Sequence, residues 1–158
     1  MSEFALFTDG SFDPKTKRGM GALLLAPASM LTVPIGDLDQ NSLSDSIKFH
    51  SFTDTSSTQL EIKTALWAID LFSSQSKMPL TLYTDSQGVA GLIARRTRLE
   101  STGFISQKSK RELNLAPLYR QFYAFHDKIK FRVVKVSGHQ RKSAHTTTQR
   151  IFSMVDQG

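Results

Sequence analysis

Asp9, Glu61, Asp85 and Asp156 are the side chains of this 158-residue sequence whose type and placement suggest chemistry. Asp9 follows the apolar run Phe4-Ala5-Leu6-Phe7-Thr8, and Asp85 follows Leu80-Thr81-Leu82-Tyr83-Thr84. Each run ends Thr-Asp and then a small residue, which predicts a carboxylate just past the C-terminal end of a strand, where open α/β sheets build their sites. At about 100° per residue, Glu61 lies roughly 200° around a predicted helix from Lys63, which shares its face with Asp70. Glu61 is therefore expected to point inward with Ala65, Ala68 and Phe72, and no basic residue is adjacent. An unpaired buried charge costs several kcal/mol or neutralises itself. If Asp9, Glu61 and Asp85 converge, two carboxylates about 4 Å apart repel by roughly 4 kcal/mol at an effective dielectric of 20. A divalent cation relieves that repulsion, and all-carboxylate ligation suits Mg²⁺ or Mn²⁺ rather than zinc. Each acid also has an ordinary use: Asp9-Gly10 as a turn, Asp85 as a helix cap, Glu61 as a complement to a helix dipole.

The elements that must position these acids are legible in outline. Strands are expected at residues 4–8, 22–26, 47–52, 80–84 and 130–136, the third alternating and half-buried. Helices are expected from Ser56-Ser57-Thr58 to about Phe72, from Gln87 to about Leu99, from Glu112 to His126 and from Thr146 to Asp156. Residues 32–45 read as an exposed loop or hairpin extension, and residues 100–111 as a polar, basic connection. Three strands followed by helices alternating with two more strands predict an α/β fold on a mixed sheet.

Composition bounds the rest. Hydrophobic residues make up 39% and charged residues 22%, the profile of a single domain spanning residues 1–158. With no cysteine there is no disulfide, thiolate zinc site or thiol nucleophile. The N-terminus lacks a basic start and a long apolar stretch, and no window reaches the roughly 18 apolar residues of a membrane span, so the expectation is a soluble, cytoplasmic monomer with no membrane contact. The net charge of +6 is unevenly spread. Residues 95–150 carry fourteen basic residues against three acids (+11), and residues 1–94 carry six against ten (−4). Such asymmetry suggests a polyanionic partner.

Four ordered motifs resemble those of type 1 ribonuclease H: Phe7-Thr8-Asp9-Gly10-Ser11, Thr58-Gln59-Leu60-Glu61, Tyr83-Thr84-Asp85-Ser86-Gln87 and Val136-Ser137-Gly138-His139. The resemblance covers nearly the whole chain. It implies a five-stranded mixed sheet, three antiparallel strands then two parallel additions, flanked by helices. It also implies hydrolysis of the RNA strand of an RNA–DNA hybrid through two metal ions at the scissile phosphate. Carried over by motif, Asp9, Glu61, Asp85 and Asp156 would be catalytic metal ligands for Mg²⁺ or Mn²⁺, and His139 would assist water attack or product release.

The same resemblance places the main chain of Gly10, together with Ser11, Ser57, Thr58 and Gln87, along the hybrid's minor groove, where a 2′-hydroxyl distinguishes RNA from DNA. Ser57 and Thr58 stand where bacterial members commonly carry asparagines, and each offers one hydroxyl in place of an amide. The segment 95–111 occupies the place of the family's substrate-binding protrusion, so Arg95, Arg96, Arg98, Lys108, Lys110 and Arg111 would hold phosphates of the DNA strand. Phe104 reads as local packing, with a sugar contact as the alternative. Two other functions compete: a nuclease of the same fold with a different substrate, and a non-catalytic hybrid-binding module.

Overall fold

The computed structural model describes residues 3–75, 79–137 and 146–157. Five strands form one sheet in the order β3-β2-β1-β4-β5. They are β1 (Phe4–Asp13), β2 (Arg18–Pro27), β3 (Lys48–Phe52), β4 (Leu80–Thr84) and β5 (Arg132–Lys135). β1, β2 and β3 are antiparallel, and β4 and β5 add in parallel to β1, as the family resemblance implies.

Period-two alternation divides this sheet between two layers. Leu6, Leu23, Leu80 and Leu82 face a core built with α2 (Ser57–Gln75), α4 (Leu92–Ser101) and α5 (Ala116–Ile129). Ala5, Phe7, Ala22 and Leu24 face the other core, closed by Ile151, Phe152 and Val155 of α6 (Thr147–Gln157). Odd residues of β1 thus look towards α6 and even residues towards α2.

Close approach of α2 depends on glycines. A Cβ on Gly21 would lie 2.6 Å from Thr64 Oγ1, 2.9 Å from Thr64 Cγ2 and 3.1 Å from Phe52 Cε2. The β-branched Thr64 is further held by its hydroxyl, which donates to the Leu60 carbonyl at 2.7 Å. Gly21→Ala is therefore expected to destabilise the protein by about 1–3 kcal/mol, the usual cost of overpacking, read from the urea midpoint.

Several elements differ from the sequence expectation. β1 does not stop at Thr8: it runs through Asp9 to Asp13, because β2 continues to pair with it as far as Asp13 opposite Arg18. Residues 32–45 are not a plain exposed loop. They contain a 3₁₀ turn (Ile35–Asp37) and α1 (Gln40–Asp45), capped by Asp39 accepting from the Ser42 N–H at 3.1 Å, with Leu43 buried against the α6 layer. β3 is an edge strand exposed at Lys48 to Ser51 rather than half-buried. The helix expected from Gln87 is broken into α3 (Gln87–Ala90) and α4 at Gly91, and the one expected from Glu112 begins at Ala116. There Pro117 occupies the first turn, while Glu112 pairs with Ile105 in a β-bridge.

Candidate active site

The ordinary uses of the three motif acids are taken by their neighbours. Asp13, not Asp9, is the turn residue of the β1–β2 hairpin: its carboxylate accepts from the Lys15 N–H at 3.0 Å and the Thr16 hydroxyl at 3.1 Å. Ser86, not Asp85, caps α3, accepting from the Val89 N–H at 3.1 Å. Ser56 occupies the capping position of α2, accepting from the Gln59 N–H at 3.2 Å, and no acid lies in that helix's first turn.

Asp9 continues the odd series Ala5 and Phe7, so it faces α6. Asp85 continues the β4 series through Tyr83, whose ring stacks on Phe7 at 4.9 Å on the same face. Asp156 follows Val155, which is buried between α6 and the sheet. α6 is in turn seated by the segment that precedes α1: the Thr147 hydroxyl donates to the Val33 carbonyl at 2.5 Å. The outcome is one group in which ligand oxygens of Asp9, Asp85 and Asp156 all lie within 4.8 Å of one another, Asp9 and Asp85 half-buried and Asp156 exposed. Opposite oxygens of a Mg²⁺ octahedron lie about 4.2 Å apart, so the spacing suits one hard cation with small adjustment.

Electrostatics agree with an ion-shaped deficit. Burial, a shared hydrogen bond with Asp156 and the charges of Asp85 and Asp156 push the Asp9 carboxyl from 3.8 up to about 9, against a lowering hydrogen bond from the Gly10 N–H. At neutral pH the metal-free site keeps a proton where a cation would otherwise sit.

Glu61 is the fifth residue of α2, half-buried, and is not part of this three-acid group. It comes from the opposite layer: Leu60 beside it packs where a Cβ on Gly10 would lie 3.0 Å away. Ser57, Thr58 and Ser11 are exposed, as is Gln87 at the start of α3. His139 lies outside the described residues.

The basic segment separates into two kinds of cation. Arg96 is engaged within the fold by three of its five N–H donors, with Nη1 and Nη2 donating to Asp127 at 2.6 and 2.8 Å, Nε donating to Glu100 at 3.2 Å, and its guanidinium 5.0 Å over the Tyr123 ring. These carboxylates push the Arg96 guanidinium further above its ordinary range and hold the Asp127 carboxyl below its own. Arg95 spans the break at Gly91, donating to the Gly88 carbonyl at 2.9 Å and the Gly91 carbonyl at 3.4 Å. Both were expected to hold phosphates; in the fold Arg95 braces the α3–α4 junction through the Gly88 and Gly91 carbonyls, the latter also accepting the Arg95 backbone N–H at 3.1 Å, and Arg96 ties α4 to α5. Arg98, Lys108, Lys110 and Arg111 are exposed and make no ion pair among the described residues. Phe104 is buried beneath the Arg120 guanidinium, 4.7 Å from its ring, and is a packing residue.

The sheet order together with this layering defines a ribonuclease H-like fold. The RNase H family model matches residues 1–150, and the chain belongs to that family, a family of nucleases. The match ends at Arg150, short of Asp156, which the structure places beside Asp9 and Asp85.

Solved structures agree in fold. A foamy viral protease-reverse transcriptase in complex with dsDNA has a TM-score of 0.64 at 16% identity, covering 99% of this chain and 92% of that one. A foamy viral protease-reverse transcriptase in complex with RNA/DNA hybrid gives 0.61 at 16%, covering 99% and 20%. The native prototype foamy virus protein gives 0.65 at 16%, covering 99% and 21%. This chain thus spans about a fifth of the latter two. No curated protein matches.

Proposed function

We propose that this protein hydrolyses the RNA strand of RNA–DNA hybrids in a divalent-metal-dependent reaction. The observation that carries the proposal is the convergence of Asp9, Asp85 and Asp156 within 4.8 Å on one sheet face, in a chain of the RNase H family. The donor set is all carboxylate and fits Mg²⁺ or Mn²⁺. When bound, such ions supply a nucleophilic water at neutral pH and charge stabilisation at the scissile phosphate, two ions acting as a clamp.

The protein's own contribution is positioning. β1 and β4 hold Asp9 and Asp85 on neighbouring strands, α6 brings Asp156 across to them, and Asp9 releases its proton as the site fills. Glu61 completes the ligand set by resemblance, and His139 serves water attack or product release by the same argument. Exposed hydroxyls of Ser11, Ser57 and Thr58, the Gly10 main chain and the Gln87 amide supply contacts to 2′-hydroxyls, the group that separates RNA from DNA. A relative of the same fold, a foamy viral protease-reverse transcriptase, is known in complex with RNA/DNA hybrid, which supports this substrate.

The test is a panel of labelled RNA–DNA hybrid, duplex RNA, duplex DNA and single strands with Mg²⁺ or Mn²⁺. Cleavage confined to the RNA strand of the hybrid is expected. Equal cleavage of duplex DNA points to the other nuclease reading, and hybrid binding without cleavage to a non-catalytic module.

Phosphate contacts are expected from Lys108, Lys110 and Arg111. Neutralising all three should weaken hybrid binding and flatten its dependence on log salt by up to about 0.9 for each phosphate that no longer meets a cation. Arg96→Ala is expected to lower the melting temperature and leave that slope unchanged, because its guanidinium is spent on Asp127 and Glu100. A flattened slope in Arg96→Ala would return this residue to the interface.

A further inference from the structure

Gln87 stands two residues beyond Asp85, at the start of α3, and its side-chain Oε1 accepts a hydrogen bond from Lys135 Nζ at 2.8 Å. Neither end of this pair is accidental. Lys135 is the last residue of β5, in register with Thr84 of β4. Alternation puts it, like Val133, on the α5 side of the sheet, away from the three-acid face. The chain between β4 and α3 is tightly held. The Thr84 hydroxyl accepts from the Ser86 N–H at 3.0 Å, the Thr84 carbonyl accepts from the Val136 N–H at 2.8 Å, and Ser86 caps α3. β5 and α3 therefore present Lys135 and Gln87 to each other from anchored backbones, and both side chains remain exposed.

An ammonium group has donors and no acceptor, so it can engage only the oxygen of a primary amide. The bond thereby selects one of the two flip states of Gln87: Oε1 turns to Lys135, and the Nε2 donors turn away from it. Resting on the hybrid reading above, we infer that Lys135 is a positioning residue that makes Gln87 a hydrogen-bond donor to the nucleic acid. The groups it would read are acceptors along the minor groove, the 2′-hydroxyl oxygen and the base-edge N3 and O2 atoms. Without Lys135 the amide is free to turn its oxygen outward, where it meets those acceptors as a second acceptor.

A double-mutant cycle on hybrid binding and cleavage tests this, using wild type, Lys135→Met, Lys135→Arg, Gln87→Leu and Lys135→Met/Gln87→Leu. Lys135→Met is expected to raise KM and Kd for the hybrid about three- to tenfold, with kcat changed by less than about twofold. Lys135→Arg, which keeps a donor, should restore both constants to within about twofold of wild type. In the Gln87→Leu background the Lys135→Met change should have little further effect, because the lysine acts through the amide.

An unchanged KM in Lys135→Met overturns the inference. So does an equal weakening in both backgrounds, which would mean that Lys135 attracts the polyanion by its charge alone. A wild-type protein that binds hybrid and does not cleave it defeats the catalytic reading, while the binding cycle still decides the role of Lys135. A wild-type protein that does not bind hybrid defeats both.

Discussion

Asp9→Asn is expected to reduce hydrolysis of the hybrid by about a thousandfold or more under Mg²⁺, and to leave a metal-free protein more stable than the wild type. The first effect follows from removal of a central metal ligand, since a Lewis-acid contribution of several kcal/mol corresponds to about three powers of ten at roughly 1.36 kcal/mol each. The second follows from the carboxyl's raised titration, near 9 in the folded protein. At neutral pH the folded wild type holds a proton on Asp9 that the unfolded chain has released, which costs stability. Asparagine has nearly the shape of protonated aspartate. Its amide nitrogen can donate to Asp156 and its oxygen can accept from the Gly10 N–H, with no charge to suppress. Allowing for partial solvent screening, the gain is on the order of 1–3 kcal/mol. Urea unfolding in EDTA and a hybrid-cleavage assay read the two effects. Activity retained in Asp9→Asn would remove Asp9 from the catalytic centre.

The second large effect links pH, metal and stability. Because Asp9 titrates at about 9 when folded and at 3.8 when unperturbed, the folded state binds more protons across that interval. Its stabilising share is fully present below the unfolded value and is lost as pH rises through the folded one, so the metal-free protein should become less stable from about pH 4 to about pH 9. A divalent ion binds the deprotonated site and displaces the proton, so metal affinity and cleavage should both rise with pH over the same window. An ion at a hundred times its Kd adds about 2.7 kcal/mol, and its removal by EDTA takes the same amount away. Urea midpoints measured across this range, with EDTA and with excess Mg²⁺, should diverge as pH increases, and Asp9→Asn should flatten both curves. Parallel curves in the wild type would mean that Mg²⁺ binding and Asp9 are not linked.

Strand content is legible in the residues themselves, and strand order through the family resemblance. The five runs are strands in the structure, because strands of this kind announce themselves by composition and by the turn residues that bound them, and their antiparallel-then-parallel order is the one the family resemblance implies. Boundaries are harder. Thr8-Asp9-Gly10 resembles the end of a strand because Asp-Gly is a turn signal, yet β2 pairs through it to Arg18, and the turn falls to Asp13. Residues 32–45 look like a polar loop because only Leu43 of α1 is buried, and its burial depends on α6, more than a hundred positions away. Arg95 and Arg96 read as surface cations because a sequence does not show which acceptors lie nearby. Arg96 meets Asp127 from another helix, and Arg95 meets the Gly88 and Gly91 carbonyls at the junction of α3 and α4. Lys135 gives no signal in the sequence for the same reason: its partner Gln87 lies 48 positions earlier.

Residue types and local periods therefore determined the chemistry on offer here: an oxygen-only set of acids, a sheet to carry two of them, and a cationic half. The tertiary structure decided how they are used. Alternation fixes that Asp9 shares a face with Ala5 and Phe7, but only the packing of α6 makes that the face where Asp156 arrives. Only the capping by Ser86 and the turn at Asp13 leave Asp85 and Asp9 to meet it. Contacts between distant segments are chosen by which apolar surfaces bury together, and that choice belongs to the whole chain rather than to any window of it.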